Sequence, residues 1–269
     1  MTRDERAKVA QETIKAINEG YYIKCNEKVE LPKTITNAIF YPENSLSAIS
    51  AIKKYDTNIK VTNRDSFVAA REYAKEGKTV VLNFASARNA GGGFEKGANA
   101  QEESLCRAST LYASLKSKEG QKFYTAQKPC LNDLYASHIL LSPSVVVFKD
   151  EQGKILNESF EVGVITAAAV NVNIALRNRY TFEQINAEML KRIKAILNVA
   201  VVNKYENIIL GAWGCGVFGN TPQKVAEMFY QCLVDDGYAT LYFHNVEFAV
   251  YDTSPNLTNY KAFKRVFSK

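Results

Sequence analysis

The chain has 269 residues, with 34 Lys and Arg against 28 Asp and Glu, which gives a net charge of +6. This mild excess favours anionic ligands slightly and does not by itself indicate nucleic-acid binding. Only two histidines are present, His138 and His244, so a metal site with three histidine ligands is excluded. The five cysteines are widely separated and form no C-x-x-C pair, which predicts a reduced, cytoplasmic protein without a disulfide framework or a zinc ribbon.

The predicted elements alternate between helices and strands. Helical spacing of apolar residues predicts a helix over 3–18, and short strands and loops follow over 20–50. The remaining elements are, in chain order, a strand at 58–62, a helix from 65 or 66 to about 75, a strand at 79–85, one helix at about 101–117, strands at 144–148 and 162–166, a helix at about 181–202, a strand at 207–210, a helix opening at 221–222 and a strand at 246–250.

This alternation predicts an α/β sandwich around a largely parallel or mixed sheet. No linker rich in Pro, Gly or Ser divides the chain. We therefore expect one structural unit, in which an N-terminal helical and irregular extension (1–50) packs on a core (51–269). Because the first residues form a charged, amphipathic pattern, we expect no leader peptide. Because no run of 18 apolar residues occurs, we expect no membrane span.

The first candidate binding loop is NFASARNAGGGFEKGANAQEE, residues 83–103, between a buried strand and a helix. Ligands of α/β proteins bind at the carboxyl ends of strands, where this loop lies. The triplet Gly91–Gly93 suits a ligand that takes main-chain N–H groups, although a flexible turn explains three glycines equally well. Glu102 and Glu103 complement the dipole of the next helix. Because adjacent helical residues point about 100° apart, at most one of them acts as an acid while the other orients a hydroxyl.

The second candidate loop is LGAWGCGVFGNTP, residues 210–222, also between a strand and a helix. Its glycines free several backbone amides ahead of a helix N-terminus, which favours anions. It matches neither a Walker A loop nor the dinucleotide fingerprint. A diphosphate cradle is the functional interpretation, and a plain strand-to-helix turn is the alternative. Neither histidine lies near Cys215 in sequence, so this thiol is not expected to be a nucleophile.

The triplet Gly91–Gly93, seven residues and then Gln101-Glu102-Glu103 together resemble the GGG-x(6–8)-QEE signature of the poly(ADP-ribose) glycohydrolase family. The flanking NFASARNAGGG, the distal GAWGCGVFGNTP and the helical N-terminus are similar to the microbial branch of that family. The similarity extends over about residues 5–252, with a departure at Ala90, where proline is commoner. It implies a three-layer macrodomain-like sandwich with a central mixed sheet and an N-terminal helical extension.

The resemblance also implies an enzyme that hydrolyses the ribose–ribose O-glycosidic bond of poly(ADP-ribose) and releases ADP-ribose. Glu103 would be the catalytic general acid on the 2′-oxygen, and Glu102 would hold ribose hydroxyls. Gln101 and Asn89 would position the distal ribose, close to the backbone of Gly91, Gly92 and Gly93. The second loop would wrap the diphosphate, with Phe218 on the proximal ribose; its binding residues would be Gly214, Cys215, Gly216, Val217, Phe218 and Gly219. Residues 165–171 would contribute to the adenine pocket.

The implied chemistry needs an acid on the leaving oxygen and negative charge near the developing oxocarbenium ion. Because the substrate diphosphate supplies part of that charge, no metal and no cofactor are expected. The expected partners are ADP-ribose and poly(ADP-ribose) on modified macromolecules, bound by a monomer without membrane or sequence-specific nucleic-acid contacts. Two other functions stay open: a hydrolase of single ADP-ribose units on protein or nucleic acid, and a non-catalytic ADP-ribose-binding macrodomain. The intact Gln-Glu-Glu favours an enzyme.

Overall fold

A computed structural model of the chain describes residues 1–46, 55–130 and 134–268. Its α-helices in these ranges are α1 (Arg3–Glu19), α2 (Ser66–Tyr73), α3 (Gln101–Ala108), α4 (Leu111–Lys116), α5 (Lys118–Gln127), α6 (Val172–Arg177), α7 (Phe182–Val202), α8 (Pro222–Tyr230), α9 (Tyr238–Tyr242) and α10 (Thr258–Phe267). Its strands there are β1 (Tyr21–Lys24), β2 (Glu27–Glu30), β3 (Ile39–Tyr41), β4 (Asn58–Thr62), β5 (Thr79–Phe84), β6 (Ile139–Lys149), β7 (Ile155–Ala167), β8 (Asn207–Leu210) and β9 (Asn245–Ala249).

The central sheet of the described residues has seven strands in the order β3-β6-β7-β5-β8-β9-β4. Strands β7, β5, β8, β9 and β4 run parallel to one another, whereas β6 pairs antiparallel with both β3 and β7. The predicted mixed sheet is therefore confirmed. Five parallel strands place their carboxyl ends along one edge, which is where α/β proteins bind ligands.

Helices cover both faces of the sheet, so the predicted three-layer sandwich is confirmed. Strand β5 shows why: Val80 and Leu82 enter one core, and Val81 between them enters the other. The first core contains side chains of α7, α8 and α10, and the second contains those of α2, α3, α4 and α5. Helix α7 begins at the predicted capping box, where Thr181 and Gln184 exchange hydrogen bonds.

The N-terminal residues are joined to the rest of the molecule at several places, of which two bear on the site and the sheet. Helix α1 packs on α3, and the edge strand β3 pairs with β6 in the central sheet, with Ile39 opposite Leu141. Strands β1 and β2 form a separate hairpin. The predicted boundary between extension and core, at residues 50 and 51, lies outside the described residues. No helix among the described residues is long and apolar enough to cross a membrane.

The prediction of one helix over 101–117 is wrong, because α3 ends at Ala108 and α4 begins at Leu111. Ser109 is extended and bridges to Val147 of β6. The Thr110 N–H donates to the Val146 carbonyl, and the Thr110 hydroxyl accepts from the Val146 N–H, both at 3.0 Å. These contacts with a strand interrupt the helix, whereas the apolar spacing continues through the break.

Candidate active site

The two glycine-rich loops meet at the carboxyl ends of β7, β5 and β8, three adjacent parallel strands. A cleft of about 140 Å³ lies between the loops. Ala85 follows β5, Ala169 follows β7 and Ala212 follows β8, and all three line the cleft. Its other walls are Ala100 and Gln101 from the first loop and residues 213–218, except Cys215, from the second. The structure thus brings residues of both predicted loops together around one cleft.

Glu102 lies beneath the first loop and is 3% exposed. The backbone N–H of Ser86 donates to its Oε2 at 2.8 Å, and the Asn83 side-chain amide donates to its Oε1 at 3.3 Å. Asn83 is itself buried in β5 and also donates to the Thr166 hydroxyl on the neighbouring strand β7. The carboxyl group is therefore oriented by a loop N–H and by a polar pair between two central strands.

Glu103 is 9% exposed and is held by two backbone donors of its own loop. Gly93 N–H donates to Oε1 at 2.9 Å, and Ala100 N–H donates to Oε2 at 3.2 Å. The second bond is half of a capping box, because Ala100 precedes the first residue of α3. The position of Glu103 thus depends on the conformation of the loop between Gly93 and Ala100.

The two carboxyl groups converge on Gly92. A Cβ at this position would overlap Glu103 Oε1 and would lie 3.2 Å from Glu102 Oε2. Gly92 has φ +58°, which an L-residue rarely adopts. Glu102 and Glu103 therefore diverge, as expected of adjacent helical residues, only at their Cα–Cβ bonds. Farther out, each side chain bends toward its own loop donor, and the two carboxyl groups approach the same point. Only a glycine leaves the backbone room above both carboxyl groups.

The other predicted residues of the first loop differ in their surroundings. The Gln101 amide nitrogen donates to Leu82 O at 2.8 Å and to Ser66 Oγ at 3.1 Å, and its oxygen accepts from Phe84 N at 2.9 Å. Gln101 therefore fixes the end of β5 while it lines the cleft. Asn89 is exposed, and its carbonyl accepts from Gly92 N–H at 3.0 Å. Their roles toward a ribose stay predictions.

Burial raises the pKa of Glu102 from 4.5 to about 8, and the nearby charge of Glu103 adds to the effect. Among the described residues, Asn83 Oδ1 is a buried oxygen without a hydrogen-bond partner. A 180° rotation of that amide would present this oxygen to a protonated Glu102. Glu102 is therefore favoured in its neutral form at neutral pH, in which it can donate a hydrogen bond.

Glu102→Gln is expected to remove a pH dependence of stability. In the native chain Glu102 stays neutral while its unfolded counterpart ionises, so the free energy of unfolding falls as pH rises from 4.5 to about 8. The variant lacks this group. The difference between its free energy of unfolding and that of the native chain should therefore increase in favour of the variant by roughly 3 kcal/mol between pH 5 and 8. Urea denaturation at both pH values measures the difference, with Glu95→Gln, an exposed carboxyl of the same loop, as the control. Parallel pH curves for Glu102→Gln and the native chain would contradict the assignment.

The second loop is anchored by buried side chains on either side of its glycines. Trp213 is fully buried, and its indole N–H donates to Ala167 O at 3.1 Å. The Asn220 amide donates to Val170 O at 2.8 Å and to Gly214 O at 3.1 Å. These bonds tie both ends of the loop to the chain that leaves β7. The loop is therefore held in a defined conformation by hydrogen bonds at both ends.

Between these anchors the loop offers backbone donors. Within the described part of the chain, the N–H groups of Gly216, Val217 and Phe218 donate to no protein acceptor, and Val217 is 86% exposed. Helix α8 begins just beyond, with Pro222 in its first turn. Free N–H groups next to a helix N-terminus are suited to an anionic ligand. Phe218 is half-buried at the cleft wall, where its ring centroid lies 6.2 Å from that of Tyr135.

Cys215 is half-buried in the same loop, and its thiol lies 3.7 Å from Trp213 O. Burial raises its pKa to about 12, so the thiol is protonated at neutral pH. This state agrees with the prediction that Cys215 is not a nucleophile. Gly219 ends the loop with φ +74°.

Gly214→Ala should weaken ADP-ribose binding by about 10-fold or more. The residue has φ +76°, and a Cβ would lie 2.6 Å from both Ala169 Cβ and Asn220 Nδ2. Ala169 has no flexible end that can give way, so the loop must shift. Isothermal titration calorimetry with ADP-ribose measures the loss. Gly237→Ala, at φ +79° with its nearest neighbour at 3.5 Å, controls for backbone strain remote from the cleft. Unchanged affinity in a folded Gly214→Ala variant would show that the loop does not bind the ligand.

A larger cavity, of about 400 Å³, lies elsewhere, between residues 41–46 and α7. None of its lining residues belongs to either glycine loop. Its polar lining includes Glu43 and Lys191, which form an ion pair with each other. In the described residues, no group of three or more His, Cys, Asp or Glu side chains is arranged to hold a metal ion. The free N–H groups in its wall and the presence of Gln101, next to the carboxyl pair in sequence, distinguish the smaller cleft as the candidate site.

The sequence interpretation missed several residues that shape the site: Asn83, Ser86, Arg107, Trp213 and Asn220. One of them carried a local signal, since Asn83 is a polar residue inside the apolar run of a buried strand. Ser86 acts through its own backbone N–H, and the side chains of Arg107, Trp213 and Asn220 donate to backbone carbonyls, contacts that no local pattern reveals.

Comparisons with known proteins agree with this site. A family model described as the catalytic domain of microbial-type PARG, poly(ADP-ribose) glycohydrolase, matches residues 10–150. The solved PARG of Thermomonospora curvata is 35% identical, with a TM-score of 0.89 over 97% of this chain and 99% of that one. The same enzyme bound to the inhibitor ADP-HPD is 36% identical over the same shares, with a TM-score of 0.88. PARG of Deinococcus radiodurans in complex with ADP-ribose is 32% identical over 89% of this chain and 98% of that one, with a TM-score of 0.79.

No curated protein matches the chain. The family model nevertheless covers half of it, and the Thermomonospora curvata structures cover nearly all of it at more than 30% identity. The macrodomain-like fold and the family resemblance predicted from the glycine and Gln-Glu-Glu motifs are confirmed. The chain belongs to the microbial-type poly(ADP-ribose) glycohydrolase family.

Proposed function

We propose that this chain is a poly(ADP-ribose) glycohydrolase, which hydrolyses the ribose–ribose O-glycosidic bond and releases ADP-ribose. The observation that carries the proposal is the convergence of two buried carboxyl groups on Gly92. Gln101, the residue before this pair, lines the cleft whose opposite wall is the second glycine loop. A protein that only binds ADP-ribose needs no carboxyl pair beneath the loop. Family membership supports the same reaction class.

In the proposed mechanism Glu103 protonates the 2′-oxygen of the leaving ribose as the glycosidic bond breaks. Glu102, kept neutral by burial, holds hydroxyls of the ribose whose C1″ becomes the oxocarbenium centre. The backbone at Gly91–Gly93 allows that ribose to approach both carboxyl groups closely. Water then attacks the cation, and its proton returns to Glu103.

The second loop holds the diphosphate in the proposed complex. N–H groups of Gly216, Val217 and Phe218 donate to phosphate oxygens, and Phe218 packs on the proximal ribose. Gly214 and Gly219 give the loop its left-handed turns, and Cys215 contributes backbone only. The bound diphosphate also places negative charge near the developing cation, so the reaction proceeds with chain residues and substrate alone.

Two assays separate this function from the alternatives. Purified chain is incubated with poly(ADP-ribose) and, separately, with mono-ADP-ribosylated protein and nucleic acid, and released ADP-ribose is quantified by chromatography. Release from the polymer supports the proposal. Release only from mono-modified substrates indicates a mono-ADP-ribosyl hydrolase, and tight ADP-ribose binding without release from any substrate indicates a reader.

The proposal includes a cytoplasmic monomer in which residues 1–50 form an extension of a core that spans 51–269. Contacts of α1 with α3 support a close association between the two parts. Size-exclusion chromatography with light scattering tests the oligomeric state, for which the predicted mass is 30.0 kDa.

A further inference from the structure

Three arginines hold the loop that precedes Glu103. They donate to three consecutive carbonyl oxygens: Arg3 Nε to Lys96 O at 3.0 Å, Arg6 Nε to Gly97 O at 2.8 Å, and Arg107 Nη1 to Ala98 O at 2.6 Å. We call Arg3, Arg6 and Arg107 the arginine clasp. Arg3 and Arg6 belong to α1 and Arg107 belongs to α3, so side chains of two helices bind the loop. Hydrogen bonds from a charged donor are stronger than neutral ones.

The contact between α1 and the loop is close enough to require a glycine. Gly97 has φ +73°, and a Cβ there would overlap the backbone carbonyl oxygen of Arg3. The start of α1 therefore lies directly against the loop backbone. This approach brings the Arg3 and Arg6 guanidinium groups within reach of the carbonyls of Lys96 and Gly97.

The clasp is also anchored on its inner side. Arg107 is 4% exposed, and its Nη2 donates to Asn99 Oδ1 at 3.0 Å. The buried hydroxyl of Thr13 on α1 donates to the Arg107 carbonyl at 2.7 Å, and Lys149 donates to that hydroxyl at 3.0 Å. These buried hydrogen bonds fix helix α1 to α3. They therefore keep Arg3 and Arg6 within hydrogen-bond distance of the loop carbonyls.

The held carbonyls lie between the two backbone donors that orient Glu103. Gly93 N–H precedes them and Ala100 N–H follows them, and each donates to one oxygen of the Glu103 carboxyl. A shift of the loop at Lys96–Ala98 must therefore move at least one of these donors. The clasp reaches Glu103 through the loop, and its guanidinium groups make no contact with the carboxyl itself in the described hydrogen bonds.

We propose that Arg6, together with Arg3 and Arg107, is a positioning residue that holds the carboxyl of Glu103 in its catalytic geometry through the Lys96–Ala98 backbone. This inference rests on the proposed glycohydrolase function. It assigns to the N-terminal helix a part in catalysis, although no residue of that helix lines the cleft. A misplacement of a catalytic group by about 1 Å can reduce turnover by about 100-fold, so a modest loop shift is enough to be measured.

The test compares Arg6→Met, which keeps most of the side-chain volume and removes the donor, with Lys8→Met, an exposed cation of the same helix. Arg6→Met should lower kcat for poly(ADP-ribose) hydrolysis by about 10-fold, while KM and the Kd for ADP-ribose change by less than about twofold. Arg6→Lys should recover part of kcat, because an ammonium group restores a charged donor without the guanidinium geometry. Lys8→Met should match the native chain in all three quantities.

Arg3→Met serves as a second variant, because Arg3 is exposed and its loss should leave folding intact. A kcat for both Arg3→Met and Arg6→Met equal to that of the native chain would overturn the clasp while the proposed function stands. A loss of kcat accompanied by an equal loss of ADP-ribose affinity and a large fall in Tm would also overturn it, since that is general structural damage. If the native chain releases no ADP-ribose, the proposed function fails, and this inference fails with it.

Discussion

Glu103→Gln should reduce the turnover of poly(ADP-ribose) by about 1000-fold, the range in which a general acid contributes. The amide has nearly the shape of the carboxyl group but carries no proton to donate to the leaving oxygen. Its single oxygen can still accept from Gly93 N–H or Ala100 N–H, so the loop keeps one of its two bonds. ADP-ribose affinity should remain within about threefold of the native value, because the diphosphate loop is untouched. Single-turnover release of ADP-ribose measures the rate, and calorimetry measures the affinity.

Glu95→Gln is the matched control for this variant. Glu95 belongs to the same loop, is exposed, and accepts from the Tyr112 hydroxyl away from the convergence point of the carboxyl pair. Its replacement should leave turnover unchanged. A Glu103→Gln variant with native turnover would remove Glu103 from the mechanism and would direct attention to Glu102 as the acid.

Gly92→Ala should lower kcat/KM by at least about 100-fold, through a different cause. The added methyl group occupies the point on which the two carboxyl groups converge, where it overlaps Glu103 Oε1. The backbone at φ +58° also becomes strained with an L-residue. Either the loop rises from the carboxyl pair or Glu103 moves away from its donors, and both outcomes exclude the ribose from its reactive position. Steady-state kinetics on poly(ADP-ribose) measure the effect.

Gly237→Ala separates strain from obstruction in this experiment. Its φ of +79° imposes a similar backbone strain, but its nearest neighbour lies at 3.5 Å. The control should therefore lose some thermal stability and keep its activity. Near-native activity in Gly92→Ala would mean that catalysis does not depend on the close approach of the loop backbone to the carboxyl groups, and the proposed binding mode would then be wrong.

Local sequence patterns predicted the parts of the site that depend on local chemistry. Three consecutive glycines and an acidic pair in a first helical turn are visible without any knowledge of the fold. The buried strand at 79–85 and the capping box of Thr181 and Gln184 were likewise readable, because their signals lie within a few residues. The parallel strand order then brings both loops to one edge.

Features that depend on distant contacts could not be predicted in this way. The break after Ala108 arises from pairing with β6, about 40 residues later in the chain. Strands β6 and β7 are longer than the predicted 144–148 and 162–166. Pairing with β3 and β7 extends β6 to Ile139, and pairing with β6 extends β7 through polar residues. Arg6 and Gly97 are 91 positions apart, and nothing near either residue indicates their contact.

The most direct test of the central claim is the release of free ADP-ribose from purified poly(ADP-ribose) by the native chain, followed over time by chromatography. The converging carboxyl groups and the diphosphate loop predict steady release with multiple turnovers, without added metal or cofactor, and its loss in Glu103→Gln. Binding of ADP-ribose with no release from the polymer would contradict the proposed function.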